Sequence, residues 1–444
     1  MTTRESSRSD ARSAIDPADS SGVIADAAAR AAELWGDENL ATLASDRVQG
    51  LTGGTFTDWG LAGDVRQPTV EPISLAGGVP DAETQPREAL IGAMQRALDT
   101  EDDLPLVYGG PVGYEPLREE MARFFARDHR EPLTADNYVL TNGAAGAIDL
   151  VVAALISPGD VIITETPTFT GSLRTFRGHE ADIVGVRLDD DGIRMDELVA
   201  TVDRLEREGR TIKLLYTIPT FQNPTGITTS LQRRADLVQF AAEHRILILE
   251  DSAYSEMYFG EECVPSISAV AGGNGVIAAG TFSKVIATGL RVGWVQAHPD
   301  LLAMMVRTRF DMGNSPLLHR MLYQLMVTGE LEQHIAKQRR LYADKMHLLS
   351  STLREGGEPY FRFDDPQGGF FLWLEMRAGL TAQAVQAAAY EEGVVFPAGP
   401  HFYVDHDPAI DGEYIRLAYS WSSSDEIAEA AARLLRACAR AAGD

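Results

Sequence analysis

The sequence has little cysteine, fewer basic than acidic residues and no long apolar run, and each absence narrows the class of protein. Its two cysteines, Cys263 and Cys438, are too few for a disulfide framework, so we expect a reduced, cytoplasmic protein. Lysine and arginine number 39 against 65 acidic residues, which gives a net charge of -26. Such a chain repels a phosphate backbone unless it carries a strong basic patch, so we expect no nucleic-acid partner. No apolar run approaches the length of a bilayer span, and no membrane association is expected.

What is present is the composition of an ordinary globular protein, with 45% hydrophobic and 23% charged residues in 444. This length predicts more than one domain. Residues 1–22 are rich in Ser, Asp, Thr and Arg, which predicts a disordered arm. We expect an N-terminal helix and a segment joining the small domain over 23–97, a large domain over 98–310, and a linking helix with a small domain over 311–444.

Short apolar runs alternate with helical patterns through the middle of the chain. The runs are Val161–Thr164, Ile183–Val186, Lys213–Ile218, Ile246–Glu250, Val276–Ala279 and Val292–Val295. Runs of this kind are typical of strands that are buried on both faces, and their alternation with helices predicts a mainly parallel α/β sheet. Later strand signals and an Ala-rich terminal helix predict a smaller α+β domain. Ligands of such sheets bind beyond the carboxyl ends of the strands.

Lys284 follows one of these runs, in the segment Gly-Thr-Phe-Ser-Lys-Val-Ile-Ala-Thr-Gly-Leu-Arg that ends at Arg291. A lysine amine can form an imine with an aldehyde, and neighbouring hydroxyls and an arginine can hold a phosphate. Taken alone, the segment would be better interpreted as a surface lysine in a Gly/Ser loop. It resembles the cofactor-binding segment of the fold-type I pyridoxal-phosphate enzymes, specifically the class I/II aminotransferases. The resemblance extends from Ile73 to the C-terminus and implies an aspartate-aminotransferase-like fold with pyridoxal 5'-phosphate as cofactor.

Asp251 and Tyr254 occupy the end of another run, in Leu-Glu-Asp-Ser-Ala-Tyr. The cofactor's pyridine nitrogen must stay protonated, so a carboxylate must face it, and the resemblance assigns this role to Asp251. Tyr254 would reach the cofactor's phenolic oxygen. In isolation Asp251 reads equally well as a helix N-cap, and Tyr254 as a core aromatic with a satisfied hydroxyl.

Two further segments match the family around the cofactor ring. Asn223 lies in an Asn-Pro-Thr-Gly sequence, where the resemblance implies an amide bonded to the phenolic oxygen. Without its position one strand–helix unit before Asp251, this would be read as an ordinary turn. Phe169 follows the run at Val161–Thr164 and falls where the family stacks an aromatic on the pyridine ring. A loop aromatic that fills the core is the alternative.

The phosphate group requires backbone amides and positive charge. Gly143, Ala144 and Ala145 open a helix, whose free amides can meet an anion. Relatives often carry Ser and Gln where Ala144 and Ala145 stand, so side-chain contacts are lost there while the amides remain. The resemblance adds the hydroxyls and the guanidinium of Thr281, Ser283 and Arg291.

Arg416 lies inside an apolar strand, Tyr-Ile-Arg-Leu-Ala, where an arginine is costly to bury without an anionic partner. A guanidinium pairs bidentately with a carboxylate, so Arg416 is the candidate for an amino acid's α-carboxylate. A buried ion pair with a protein carboxylate is the alternative. Gly78, in Gly-Gly-Val-Pro, resembles the segment that lines the substrate entrance, and Asn223 is also assigned to substrate binding.

Tyr108, in a Gly/Pro-rich loop, matches a tyrosine that reaches the phosphate from the neighbouring subunit in the family. The match implies a homodimer with shared active sites, against the alternative of a surface tyrosine.

The resemblance implies a transaminase that uses amino acid and 2-oxo acid substrates, with Lys284, Asp251 and Tyr254 as catalytic residues and no metal. The same pocket could support elimination, decarboxylation or oxidative deamination, because the cofactor carries the difficult step. A ligand-sensing module, like those that some bacterial regulators fuse to a DNA-binding domain, is a third interpretation. The region before Ile73 is short and shows no basic recognition helix, which disfavours it.

Overall fold

The computed structural model describes residues 17–36, 40–49, 51, 67–100, 104–377, 379–407 and 409–443. The chain divides into two units, one ending at Gly50 and one beginning at Leu51. The first unit contains helix α1 (Pro17–Trp35), a 3-10 turn (Leu40–Leu43) and helix α2 (Asp46–Gln49). Of the arm expected over 1–22, residues 1–16 lie outside the described residues, whereas residues 17–22 are helical. Proline suits the first turn of α1, where no backbone N–H partner is needed.

The second unit carries all thirteen strands of the described residues. The strands are β1 (Ile73–Ser74), β2 (Tyr138–Thr141), β3 (Val161–Thr166), β4 (Asp182–Asp189), β5 (Gly192–Ile193), β6 (Ile212–Thr217), β7 (Leu247–Asp251), β8 (Val276–Thr281), β9 (Gly293–Gln296), β10 (Phe361–Arg362), β11 (Phe371–Met376), β12 (Val394–Val395) and β13 (Tyr414–Ala418).

Helices connect and cover these strands. They are α3 (Arg87–Thr100), α4 (Glu115–Phe125), α5 (Gly143–Leu155), α6 (Thr170–Gly178), α7 (Met195–Arg207), α8 (Leu231–Glu243), α9 (Ile267–Val270), α10 (Pro299–Arg307), α11 (Pro316–Val327), α12 (Glu330–Arg354), α13 (Ala382–Glu391) and α14 (Ser424–Ala442). Short 3-10 turns lie at Ala82–Thr84, Leu104–Leu106, Ala135–Asn137, Thr288–Leu290 and Gly399–Phe402. No described helix is long and apolar enough to span a bilayer.

The large sheet has eight strands in the order β2-β9-β8-β7-β6-β3-β4-β5. The pairs β8–β7, β7–β6, β6–β3 and β3–β4 are parallel, whereas β9 is antiparallel to both of its neighbours and β5 is antiparallel to β4. Six strands therefore run in one direction, and the carboxyl ends of β3, β6, β7 and β8 meet at one edge. This arrangement confirms the predicted α/β class with a mainly parallel sheet.

Each central strand contributes to two apolar layers, since successive side chains of a strand point to opposite faces. In β7, Ile248 packs in a cluster with Leu198 of α7 and Leu237 of α8. Leu249, the next residue, belongs to a second cluster that includes Val151 of α5. Burial on both faces explains why these strands read as continuous apolar runs in the sequence.

A separate three-stranded antiparallel sheet has the order β10-β11-β13, and β1 pairs in parallel with β12. The apolar cluster that contains Leu249 also contains Leu372 of β11 and Leu417 of β13, so one core is continuous between the large and the small sheets. Strand β12 lies between β11 and β13 in the sequence, so the β1 pairing joins the segment that begins at Ile73 to the C-terminal part of the chain. Farther along this segment, the carbonyl oxygen of Gly78 accepts a hydrogen bond from Lys284, which follows the end of β8.

Candidate active site

Lys284 lies three residues beyond β8, at the edge where the parallel strands end. Its side chain is partly buried, and Nζ donates a hydrogen bond of 2.6 Å to the carbonyl oxygen of Gly78. Burial lowers the pKa of Lys284 to about 8, and the charge of Asp251 opposes this shift while those of Arg416 and Arg291 add to it. The site therefore holds an amine that loses its proton far more readily than a surface lysine does.

Asp251 is the last residue of β7, the neighbour of β8, and is 5% exposed. Its Oδ1 accepts a hydrogen bond from Ala253 N at 3.2 Å, and its Oδ2 accepts one from the Tyr216 hydroxyl at 2.9 Å. Burial raises the pKa of Asp251, whereas these two donors and the charge of Lys284 lower it. Asp251 is thus a buried carboxyl group whose pKa is raised by burial and is held back by two hydrogen-bond donors and a nearby cation.

Tyr254 lies close to Lys284 and is hydrogen-bonded to Asn223. Lys284 Nζ lies 5.6 Å from the centroid of the Tyr254 ring. Burial raises the pKa of Tyr254, while the charge of Arg416 and a hydrogen bond with Asn223 lower it. Asn223 is 3% exposed, and its Oδ1 accepts a hydrogen bond of 2.8 Å from Arg416 Nη1. Because the oxygen of the Asn223 amide is engaged by Arg416, its NH₂ group is the part directed to Tyr254.

Arg416, in β13 of the small sheet, is 3% exposed. Its Nη2 donates to the carbonyl oxygen of Ala76, in the segment that also carries Gly78. The guanidinium carbon lies 4.4 Å from the Phe371 ring centroid and 4.7 Å from that of Phe402. Burial lowers the pKa of Arg416 to about 10, and the electrostatic interaction with Tyr254 partly opposes this shift. A desolvated cation fixed between aromatic rings suits a planar carboxylate.

Four residues form a polar cup around the start of α5. Thr281 Oγ1 and Ser283 Oγ are 2.9 Å apart, and Arg291 Nη1 lies 3.4 Å from Ser283 Oγ. Helix α5 begins at Gly143. The side chain of its N-cap residue, Asn142, accepts no hydrogen bond from the first backbone amides of the helix. A Cβ on Gly143 would lie 2.7 Å from Arg291 Nη2, and the φ of +70° is one that glycine tolerates. Hydroxyls, a guanidinium and helix amides therefore converge where an anion can bind.

Ala144 and Ala145 are the next two residues of α5, with Ala145 exposed and Ala144 half-buried. They offer backbone amides and no side-chain donor. Phe169 is half-buried at the N-cap of α6, beyond β3. A Cβ on Gly171 would lie 2.5 Å from its ring, so glycine leaves the space that the Phe169 ring fills.

Tyr108 differs from the other predicted site residues because its side chain is 84% exposed. It follows the 3-10 turn at Leu104–Leu106, on a loop that lies against the start of α11: a Cβ on Gly109 would be 3.0 Å from Pro316 Cγ. Within one chain, Tyr108 is therefore a surface residue.

Sequence reasoning missed a group of buried polar residues behind the site. Ser172 and Tyr216 form a hydrogen-bonded chain to Asp251. Glu165 accepts hydrogen bonds from Thr217, from Ile218 N at 3.1 Å and from Gln222 Nε2 at 3.1 Å, and burial raises its pKa to about 7. Glu165 immediately precedes the end of β3, and this position at the strand edge was the available signal.

The residues present fit pyridoxal 5'-phosphate by their chemistry. An amine with a lowered pKa suits the aldehyde, a buried carboxylate suits the pyridine nitrogen, and the cup at Gly143 and Arg291 suits the phosphate. At Gly78, Gly143 and Gly171 a Cβ would lie within 2.7 Å of another side chain, so the cavity walls need glycine there. Within the described residues, no group of three or more His, Cys, Asp or Glu side chains is placed to hold a metal ion.

Comparison with known proteins identifies the family of the chain. The family model for aminotransferase class I and II matches residues 70–434. Aromatic-amino-acid aminotransferase 1 of Thermococcus litoralis is 31% identical over 82% of this chain and 88% of its own length. The 2-aminoadipate transaminase of Thermus thermophilus is 33% identical over 82% of this chain and 89% of its own. Weaker matches, 24–28% identical, include bacterial regulators described as HTH-type, of whose length the chain covers 64–78%.

A solved structure extends the likeness to the whole fold. That of LysN, the α-aminoadipate aminotransferase of Thermus thermophilus complexed with N-(5'-phosphopyridoxyl)-L-leucine, has a TM-score of 0.81 and 29% sequence identity. It covers 91% of this chain, and all of that chain is matched. These findings confirm the predicted fold type, the cofactor and the reaction class. The chain belongs to the aminotransferase class I and II family: it is a pyridoxal-phosphate-dependent transferase that moves an amino group between an amino acid and a 2-oxo acid.

Proposed function

We propose that Lys284 is the residue that binds the cofactor covalently and carries the α-proton in this reaction. The lysine content of the chain supports the assignment, because there are four lysines in all: Lys213, Lys284, Lys337 and Lys345. Lys213 and Lys337 are exposed, and Lys345 forms an ion pair of 2.6 Å with Asp81. Burial lowers the pKa of Lys284 to about 8, and such a lowered pKa is required of an amine nucleophile near neutral pH.

Residues already grouped around Lys284 would hold the cofactor. Asp251 would face the pyridine nitrogen, Tyr254 and Asn223 the phenolic oxygen, and Phe169 the ring. The phosphate would lie in the cup of Gly143, Thr281, Ser283 and Arg291 and would meet the backbone amides of Ala144 and Ala145. When bound, pyridoxal 5'-phosphate supplies an electron sink for the negative charge left after an α-proton is removed.

Arg416 would bind the α-carboxylate of the amino acid. Its guanidinium is buried, held by Asn223 and Ala76, and packed between Phe371 and Phe402, so it is preorganised and desolvated. Gly78 would form part of the wall of the substrate site next to Phe371. A Cβ at this position would be 2.3 Å from the Phe371 ring, so only glycine fits there without displacing the ring. With the carboxylate fixed, the α-carbon would be held near Lys284 Nζ, which would take the α-proton and release it to the cofactor's aldehyde carbon.

A homodimer with shared active sites is the second part of the proposal. The loop of Tyr108 is strongly apolar and exposed: Leu106 is 67% exposed, Tyr108 84%, and Phe310 on the adjoining loop 90%. Side chains of this size are rarely left in solvent on one surface unless they meet a partner. A second copy of the chain would cover them and bring its Tyr108 to the phosphate cup.

Mixing two inactive variants tests this sharing. Tyr108→Ala and Lys284→Ala homodimers would each be impaired, and mixed dimers would carry both lesions in one site and none in the other. Activity should therefore return after subunit exchange. If Tyr108 serves its own subunit, every site of the mixed dimer carries one lesion, and activity would not return.

The domain division is also a proposal. The large sheet lies entirely within 98–310, and the three-stranded sheet lies within 311–444. The pairing of β1 with β12 supports a joining role for the segment before residue 98. A cytoplasmic location stays a prediction, and the two free cysteines, Cys263 and Cys438, are in keeping with it.

The substrate can be identified with a panel of L-amino acids that includes aromatic residues and 2-aminoadipate. Each is mixed with the cofactor-loaded enzyme without an acceptor, and the product is measured by mass spectrometry. Release of one 2-oxo acid per active site, with further turnover only after a second 2-oxo acid is added, is the expected result. Continued product formation without an acceptor would instead indicate elimination, decarboxylation or oxidation.

A further inference from the structure

Behind Asp251 lies a chain of hydroxyl groups, formed by Ser172 and Tyr216, which the proposed mechanism does not use. The Tyr216 hydroxyl donates to Asp251 Oδ2 at 2.9 Å. It lies 2.8 Å from Ser172 Oγ. Because the phenol has one proton and gives it to the carboxylate, Ser172 must be the donor to the phenol oxygen. The hydrogen bonds therefore run in one direction, from Ser172 through Tyr216 to Asp251.

All three residues are removed from solvent. Tyr216 is 0% exposed, Ser172 2% and Asp251 5%. Burial, with Asp251 beside it, raises the pKa of Tyr216 well above its usual value, so the phenol keeps the proton that it donates. Because these side chains are buried, a hydrogen bond to the carboxylate is stronger than one at the protein surface, and loss of the donor is costly.

The hydroxyl chain also reaches the element that carries Phe169. Phe169 is the N-cap of α6, and Ser172 lies in the first turn of the same helix, with Ser172 N donating to Phe169 O at 3.1 Å. One helical turn thus carries both the aromatic assigned to the cofactor ring and the hydroxyl that begins the chain. Displacement of this turn would move both together.

We propose that Tyr216, supported by Ser172, is a positioning residue that keeps Asp251 ionised and oriented, and so keeps the proton on the cofactor's pyridine nitrogen. The inference rests on the proposed role of Asp251. Two acceptors compete for that one proton, the pyridine nitrogen and the Asp251 carboxylate. A donor to Oδ2 makes the carboxylate a weaker base, and the proton then stays on nitrogen. Without the donor, the proton moves from nitrogen to Asp251, with no other bond made or broken.

Tyr216→Phe removes one oxygen atom and keeps the ring, which packs edge-on against Phe176 with centroids 5.2 Å apart. The matched control is Tyr138→Phe. Tyr138 is also 0% exposed and lies in the same sheet, but its hydroxyl donates to Gln296 Oε1 at 3.2 Å. Both variants lose a buried phenol hydroxyl, and only one loses a donor to Asp251.

The test loads the enzyme with pyridoxal phosphate labelled with ¹⁵N in the ring and records its ¹⁵N resonance at fixed pH. We expect Tyr216→Phe to move the resonance toward the unprotonated position and to weaken cofactor binding about tenfold. Ser172→Ala should cause a smaller shift in the same direction, and Tyr138→Phe should match the unaltered enzyme. A Tyr216→Phe resonance equal to that of Tyr138→Phe would overturn the inference.

Two further variants keep the result decisive. If Tyr216→Phe does not fold, Ser172→Ala decides, and a resonance unchanged in Ser172→Ala counts against the hydroxyl chain. Asp251→Asn separates this inference from the proposed function. If Asp251→Asn leaves the resonance in place, the assignment of Asp251 itself fails. If Asp251→Asn moves it and Tyr216→Phe does not, only the role of Tyr216 fails.

Discussion

The amine of Lys284 and the carbonyl oxygen of Gly78 are joined by a hydrogen bond of 2.6 Å, although 206 residues separate them in the sequence. The bond connects the large sheet to the segment that begins at Ile73. The same segment is held by the small sheet, since Ala418 N donates to Leu75 O at 2.7 Å and Ser420 Oγ donates to Val79 O at 2.7 Å. The backbone of this segment is therefore part of the site wall, and its position controls the space above Lys284.

A methyl group at Gly78 should displace this wall. In Gly78→Ala the new Cβ would lie 2.3 Å from Phe371 Cζ, closer than atoms can approach, so either the segment or the ring must move. Because Phe371 also packs on Arg416, we expect a rise in KM for the amino acid on the order of tenfold or more.

Gly77→Ala is the matched control for this change. A Cβ on the adjacent glycine meets nothing nearer than Val79 at 3.9 Å. Its steady-state kinetics should stay close to those of the unaltered enzyme. Equal kinetic losses in the two variants would mean that flexibility of the Gly-Gly pair matters, and that the contact with Phe371 does not.

Replacement of Arg416 should weaken carboxylate binding more than any other step. Arg416→Lys keeps the charge but loses the bidentate geometry and leaves Asn223 Oδ1 without its donor. KM for the amino acid should rise on the order of 100-fold, while the kcat should fall less.

A second buried arginine provides the control. Arg234 is 0% exposed and donates to the backbone oxygens of Pro219 and Thr229, outside the catalytic cluster. Arg234→Lys should lower the free energy of unfolding and leave KM nearly unchanged. An unaltered KM in Arg416→Lys would instead favour a purely structural role for that guanidinium.

The ion pair of Lys345 with Asp81 anchors the far end of the same segment to α12. Its two side chains are 2% and 11% exposed, and Lys345 Nζ also lies 3.3 Å from Ser420 O. Lys345→Met leaves a buried carboxylate without its cation and should lower the free energy of unfolding by about 3–5 kcal/mol. Denaturant titration measures the change. Adding Asp81→Asn should recover part of the loss, and no recovery would show that the charge was not the cause.

The lowered pKa of Lys284 predicts how fast the protein recaptures its cofactor at different pH values. Only the neutral amine attacks an aldehyde, and the group is protonated below its pKa. The rate of reconstitution of cofactor-free protein should therefore rise with pH up to about 8 and level off above it. Absorbance stopped-flow would record this. A rate that continues to rise to pH 10 would indicate a lysine of ordinary basicity.

The sequence was sufficient for much of this fold, because its signals were local. The six apolar runs of the central sheet match β3, β4, β6, β7, β8 and β9 to within three residues at each end. Residues at the ends of strands, such as Asp251, could therefore be identified from the predicted strand boundaries. Strand β2 has only four residues and is followed at once by a Gly-rich sequence, and it was not predicted as a strand.

Contacts between distant segments could not be read in the same way. Tyr216 lies inside an apolar run and is indistinguishable there from a core aromatic, and its partner Ser172 is 44 residues away. Lys345 and Asp81 lie 264 residues apart on an amphipathic helix and in a loop. Their roles depend on chain folding that no local pattern encodes.

The assignment of Lys284 is best tested by finding the lysine that carries the cofactor. The loaded enzyme is reduced with borohydride, which makes the bond between lysine and cofactor permanent, and is then digested and analysed by mass spectrometry. We expect the added mass on the peptide that contains Lys284, and none on Lys213, Lys337 or Lys345. Label on any of those three lysines, or its persistence in Lys284→Ala, would contradict it.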